Sequence, residues 1–383
     1  MLMESCDVLI VGGGPAGSTC ARILHQAGLE VIVMDKKHFP RGKVCAGWIT
    51  PEVVTTLELD AKDYSQGRVF QAAIGFRSGM LGGKQVETLY DHVVSYGILR
   101  REFDEYLLRR CGARLLLGTE FKGMTRDGNG WRINDSISAR LVIGAGGHFC
   151  PVARMMGAQA RKREIVVAAQ EVESQLSEEQ AGHCKVRPEI FELYFCHDLQ
   201  GYGWCFRKGN ILNVGLGRDD SNLVNHQAKQ FLRYLKLTDH VPEDTPEKLP
   251  GHAYILYGHT QRQVVSDGLM LVGDAAGLAY PQSGEGIRPA VESGVLAAAT
   301  ILAAKDDFSR HRLARYAERL IERFGKPRAA AYPKGLTASL ERVLASTHWF
   351  SRHIILDRWF LHRSLPAIEG IDERGRVRQT AVA

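Results

Sequence analysis

The spacing of apolar and polar positions divides the chain into strands and helices with few ambiguous stretches. Asp7 to Val11 alternates into a β-branched strand that stops at Gly12–Gly14, and the small-residue run Ala16 to Leu24 has helical periodicity. After Gly28, the run LEVIVMD predicts a second strand that ends in Asp35. Further along, EIFELYFC, GYGWCFRK and NILNVGLG read as three strands joined by short turns, the makings of a largely antiparallel sheet. Phe103, Leu107 and Leu108 give the stretch YGILRREFDEYLLRRCGARL one apolar helical face. The apolar run Leu269 to Val272 stops at Gly273–Asp274, passes Pro281 and enters a helix-like run through Gly284 and Gly286. The last 78 or so residues are helical in pattern, and from about Gly370 they are polar enough to be expected without order.

The first of these patterns carries chemistry. Gly12-x-Gly14-x-x-Gly17, placed between a strand and a helix, opens a Rossmann-like unit. Gly12 makes the tight turn, Gly14 lets the backbone approach a pyrophosphate, and Gly17 lets helix and strand close up. Ala16 lies in the same turn, and Asp35, followed by Lys36, ends the second strand where a carboxylate accepts from a ribose hydroxyl. The late segment Gly273 to Ile287 is a second turn of the same general kind, and one nicotinamide cofactor needs only one.

These residues resemble the flavoproteins similar to para-hydroxybenzoate hydroxylase, in which two such turns hold the longer FAD. VGDAAGLAYPQSGEGI is similar to that family's late motif, and the resemblance implies roles for Gly273, Asp274, Gly284, Gly286 and Ile287 in cofactor binding. Asp274 would bond the ribityl region, and the amides around Gly286 and Ile287 would face the flavin O2, where a helix N-terminus stabilises negative charge. The family pattern R-x-x-F-D places its flavin-contacting arginine at Arg100, with Arg101 adjacent. One departure stands out: LVIGAGGHFCPVAR has Gly146 where many relatives carry an aspartate that helps bind flavin and reduced nicotinamide. Direct, rapid reduction by NAD(P)H is therefore not expected.

Within that family, GYGWCFRKGNILNVGLG and SGEGI resemble the geranylgeranyl reductase group, although Arg207 stands where the group has proline. RGKVCAGW is similar to the group's Lys-x-Cys-Gly loop through Lys43 and Cys45, with Ala46 in place of glycine. The resemblance implies that Cys45 and Ala46 lie near the isoalloxazine, where a thiol positions substrate or donates a proton; an inert buried cysteine is the plain alternative. Tyr194, Tyr202, Trp204 and Phe206 recur at even spacing, so they are expected to point together, either as an apolar wall over the flavin or as ordinary sheet core. The candidate catalytic residues are Cys45, Tyr202 and Trp204.

The fold class expected is thus α/β: a discontinuous Rossmann-like FAD-binding domain (1–50, 92–157 and 264–305), a mainly antiparallel-sheet substrate domain (51–91 and 158–263), and a helical C-terminal tail (306–383). In the tail, Trp349, Phe350, Ile354, Ile355, Trp359 and Phe360 interleave with Arg352, His353, Arg358, His362 and Arg363. That pattern fits a helix docked on the core or one lying on a membrane surface.

Composition narrows the function classes. The formal charge of +6 is spread over 383 residues without a polybasic run, so no nucleic-acid partner is expected. Eight cysteines form no CxxC pair and no metal-ligand spacing, so no metal is expected and the chain reads as cytoplasmic, in a reducing compartment. No run approaches the length of an apolar membrane span. Two enzymatic readings remain. One is an FAD-dependent reductase of carbon–carbon double bonds in an isoprenoid or other apolar substrate. The other is a flavin-dependent monooxygenase or halogenase-like enzyme acting on an aromatic, carrier- or peptide-bound substrate. Each takes electrons from NAD(P)H or a partner reductase, and a flavin-binding scaffold without turnover is the third reading.

Overall fold

The computed structural model describes residues 4–158, 166–259, 262–327, 344–372 and 376–380. Its first sheet is built around Glu4–Val11, whose Val8, Leu9 and Ile10 are fully buried, as a parallel strand covered on both faces requires. Ile137–Gly144 and Val31–Asp35 flank it in parallel, Leu269–Leu271 and Arg114–Leu117 extend it on either side, and Val265–Ser266 forms an antiparallel edge. The helix Pro15–Gln26 links the first two of these strands in sequence and packs against the long helix Ile287–Ala304. That long helix is apolar enough and long enough to cross a membrane, yet 78% of it is buried inside the fold. Its lack of a polar face follows from burial on all sides.

The second sheet runs Gly251–Ile255, Val166–Gln175, Ile211–Arg218, Gly201–Lys208, Ile190–Phe195, Gly75–Met80 and Gln85–Leu89. All its pairings are antiparallel except that between Ile190–Phe195 and Gly75–Met80. The three strands expected here therefore form as neighbours, within a sheet that also takes in segments from 75–89 and 251–255.

Register corrects one expectation. Phe195 pairs with Tyr202 and Tyr194 with Gly203, so Tyr194 points away from Tyr202, Trp204 and Phe206. Tyr194 packs instead with Phe231 and Tyr234 of the helix Ser221–Leu237, which covers the opposite face. Even spacing aligns residues within a strand, but across a hairpin the pairing decides which positions share a face. Phe195 takes the place expected of Tyr194.

The tail docks on the core. After the helix Arg310–Phe324, the segments His348–Phe350 and a wide-turned continuation, Ser351–Phe360, lie on the aromatic face of the second sheet and bury Ile355, Leu356 and Phe360. Ser351 Oγ and Ser78 Oγ are 2.6 Å apart, and Tyr90 donates to Asp357 at 2.9 Å. Trp349 alone among the helix's large apolar side chains is mostly exposed, at 64%. Residues 328–343, part of the expected helical tail, lie outside the described residues. The expectation of an unordered end past Gly370 is corrected: Ile368–Ile371 and Val377–Gln379 form a hairpin. Burial of Ile368 and the hydrogen bond its N–H donates to Thr56 Oγ1 hold that hairpin to the body.

Candidate functional site

A long cavity lies between the two sheets, with a glycine turn on each side. At the first turn Gly12 adopts φ +121°, and a Cβ there would lie 2.4 Å from the Ala145 carbonyl oxygen. A Cβ on Gly17 would lie 2.0 Å from Gly12 O, so helix and strand close as the motif requires. Gly14 differs: its Cβ would meet only an Arg41 nitrogen, at 3.5 Å, and would otherwise project toward the cavity. Asp35 Oδ2 accepts from Gly13 N at 2.9 Å and its Oδ1 from Lys37 N at 2.9 Å, which fixes the carboxylate at the mouth of the turn beside Lys36. Ala16 lines the same end.

The second turn is held by side chains. Gly273 N donates to Ser293 Oγ at 3.0 Å, and Asp274 Oδ2 lies 3.3 Å from Lys43 Nζ and 3.7 Å from His252 Nε2. Burial opposes the Asp274 charge, but Lys43, His252 and Arg100 outweigh it and hold its carboxyl well below the usual range. Gly284 has φ +66° and passes so near Tyr254 that a Cβ would lie 2.4 Å from its hydroxyl. Gly286 then caps the helix beginning at Ile287 without a side chain of its own, and both residues line the cavity. Glu285 Oε1 accepts from Arg288 N at 2.7 Å and so covers part of that helix end, while its Oε2 is buried without a hydrogen-bond partner among the described residues.

Of the two adjacent arginines, Arg100 reaches the cavity. It is buried, bonded twice to Asp104 at 2.8 and 2.9 Å, and lines the cavity together with Cys45. Arg101 points outward and lies 3.6 Å from Glu173.

The loop carrying Lys43, Cys45 and Ala46 forms part of the cavity wall. Cys45 N donates to Glu171 Oε1 at 2.6 Å, and Gly47 N approaches Cys45 Sγ at 3.5 Å. Tyr202 and Trp204 line the cavity beside Trp48, Tyr254 and Phe360, with Trp204 Nε1 donating to Asn213 at 2.6 Å and the Tyr202 hydroxyl donating to Ser283 O. Phe206 lies deeper, stacked on Phe191 and away from the cavity surface.

The sequence pattern missed Phe360, Glu171, Lys208, His252 and Glu285 as parts of this site or of its support. Phe360 stacks on Trp48 with ring centroids 5.6 Å apart and meets Tyr202 edge-on at 5.2 Å. For Glu171 a signal existed: in VVAAQEVES it alternates with Val167, Ala169 and Glu173, which puts a carboxylate on the face that Ala169 turns to the cavity.

The donor set fits FAD: a pyrophosphate-sized gap at Gly14, an acid placed for a ribose, and a second helix N-terminus at the far end with an ionised aspartate beside it. Comparison with known proteins agrees. The FAD binding domain family matches residues 5–323. Digeranylgeranylglycerophospholipid reductase 3 of Methanosphaera stadtmanae is 28% identical over 343 residues, 85% of this chain and 85% of that protein. The menaquinone reductase of Mycobacterium tuberculosis is 28% identical over 369 residues, 90% of this chain and 86% of that one. In fold, a geranylgeranyl bacteriochlorophyll reductase-like protein from Thermoplasma acidophilum superposes with a TM-score of 0.72 at 23% identity, over 90% of this chain and 88% of that one. With its two glycine turns built as the family's cofactor demands, the chain belongs to the FAD binding domain family and is an FAD-dependent oxidoreductase.

Proposed function

We propose that this protein reduces carbon–carbon double bonds in an isoprenoid or similarly apolar chain. The observation that carries the reading is the Cys45 thiol in one cavity with Tyr202, Trp204, Trp48 and Phe360 and with the helix start at Ile287. Once bound and reduced by the electron donor, FAD would supply the hydride for one alkene carbon. Gly12, Gly14, Ala16, Gly17, Asp35 and Lys36 would hold its ADP half, and Arg100, Gly273, Asp274, Gly284, Gly286 and Ile287 its flavin end. Cys45, with Ala46 beside it, gives the proton that the second carbon requires. The aromatic walls grip a greasy chain and keep water from the reacting carbons. Relatives named for reducing a geranylgeranyl lipid and a quinone support a lipid substrate.

In this reading, segments 1–50, 92–157 and 264–305 hold the cofactor, 51–91 and 158–263 hold the substrate, and 306–383 closes the cavity with Phe360. All eight cysteines are free thiols, which supports a cytoplasmic protein that meets its lipid at a membrane surface. Electrons reach it from NAD(P)H or, more readily, from a partner reductase.

The test is Cys45→Ser, assayed on a geranylgeranyl-chain phospholipid. Flavin content and melting should stay as in the parent while turnover falls about 100-fold or more, the range of a lost general acid. Cys196→Ser and Cys205→Ser, remote from the cavity, serve as controls. A Cys45→Ser protein that is less stable but turns over normally would overturn the assignment.

A further inference from the structure

Beneath the Cys45 loop sits a group of ionisable side chains that the reaction above does not use. Lys208 is 0% exposed, and its Nζ has no hydrogen-bond partner among the described residues; Glu173 Oε1 stands 3.5 Å away. This ammonium lies against the loop itself, since a Cβ on Gly47 would come within 2.6 Å of it. From the strand Val166–Gln175, next but one in the sheet, Glu171 accepts from the Cys45 amide and is 5% exposed. Asn213 Nδ2 reaches Glu171 Oε2 at 3.4 Å and Glu173 Oε1 at 3.3 Å, and Asn213 Oδ1 accepts from Trp204. The arrangement follows from register: Trp204, Phe206 and Lys208 share one face of their strand, and Glu171 and Glu173 share the corresponding face of theirs.

A buried ammonium short of hydrogen bonds is costly, and a purely packing role at 208 is better filled by an apolar side chain. Burial depresses Lys208, while Glu173, Glu171 and Cys45 act to keep its proton. Burial pushes the Glu171 carboxyl up to about 7, against a smaller opposing pull from Lys208. Two groups of opposite charge type thus stand poised behind one thiol.

We infer that Lys208 and Glu171 are positioning residues that set the ionisation of Cys45 from behind its loop. The inference rests on the reductase reading for its purpose: once Cys45 has given up a proton, the Lys208 ammonium stabilises the sulfur anion, and an ionised Glu171 opposes it. The other charged or titratable groups facing the thiol are Arg100 from the helix Arg100–Arg109 and Tyr202 from the same strand as Lys208. Lys43, Asp274 and His252 follow along the cavity wall, and Glu173, 27% exposed and beside Arg101, connects the cluster to solvent.

The experiment needs no substrate. The FAD-loaded protein is treated with iodoacetamide from neutral to alkaline pH, and the alkylation rate at Cys45 is read by peptide mass spectrometry. Lys208→Met should move the Cys45 midpoint up by about one pH unit or more, Lys208→Arg should leave it near the parent value, and Glu171→Gln should move it down. Unmoved midpoints, or shifts in the same direction for Lys208→Met and Glu171→Gln as a loosened loop would give, overturn the inference. If Lys208→Met does not fold or bind FAD, Glu171→Gln decides alone: a lowered midpoint supports the inference and an unchanged one overturns it. Should the midpoints move as expected while Cys45→Ser still turns over, the pair stands and the proton-donor role of Cys45 falls.

Discussion

At the scale of single residues, the site separates positions that chain-local physics dictates from positions that only assembly creates. Gly12, Gly14, Gly17 and Asp35 were legible because a tight turn, a close approach and a strand end are local events with few residue solutions. Gly14→Val follows from this: its Cβ meets only Arg41, so the protein should fold and melt near the parent temperature, yet purify colourless because the side chain fills the pyrophosphate gap. Retention of stoichiometric FAD would contradict it, as would release of FMN from the parent protein on heating. Glu171 and Lys208 were not legible, because a carboxylate or ammonium in a strand pattern reads as solvated until a second strand and a loop are laid over it. Burial raises Glu171 from 4.5 to about 7, so between those values the folded chain holds a proton that the unfolded chain releases. Its stabilising effect is complete below the lower value and lost as pH rises through the upper one. In denaturant titrations at about pH 5 and about pH 8, Glu171→Gln should shrink the parent's loss of stability by on the order of 2–3 kcal/mol. An unchanged difference would show that Glu171 titrates normally.

At the scale of elements, strand identity was readable and strand pairing was not. GYGWCFRK is the strand Gly201–Lys208 to the residue, but its hairpin register, which sets Phe195 and not Tyr194 opposite Tyr202, depends on a turn that period-two spacing does not encode. The C-terminal helix shows the same limit from further away. Its aromatic–basic pattern fitted docking on the core as well as membrane contact, and the docked arrangement sends Phe360 across to stack on Trp48 and touch Tyr202. Phe360→Ala should lower the unfolding free energy by about 3 kcal/mol, the usual loss for a buried phenylalanine. Because that ring also lines the cavity, KM for an apolar chain should rise more than kcat falls. A stability loss with unchanged KM would confine Phe360 to the core.

At the scale of the whole molecule, two sheets, a loop and the tail enclose one cavity, and its two ends specify different tasks. At the FAD end, Gly146 lines the cavity with no carboxylate to offer a nicotinamide. Stopped-flow mixing with NADH or NADPH should therefore reduce the flavin slowly, while dithionite or a partner reductase reduces it fast; rapid nicotinamide reduction would remove this idea. The other end is an apolar enclosure with one thiol, and the central claim is that it reduces alkenes. The most direct measurement is a single turnover without oxygen: dithionite-reduced holoenzyme, freed of excess reductant, is mixed with a geranylgeranyl-chain phospholipid, and flavin absorbance and lipid mass are followed together. The account predicts that the flavin reoxidises anaerobically as the lipid gains two hydrogens per double bond reduced, with the parent but not with Cys45→Ser. Flavin that stays reduced in the presence of the lipid until oxygen enters, with the lipid mass unchanged, would contradict it.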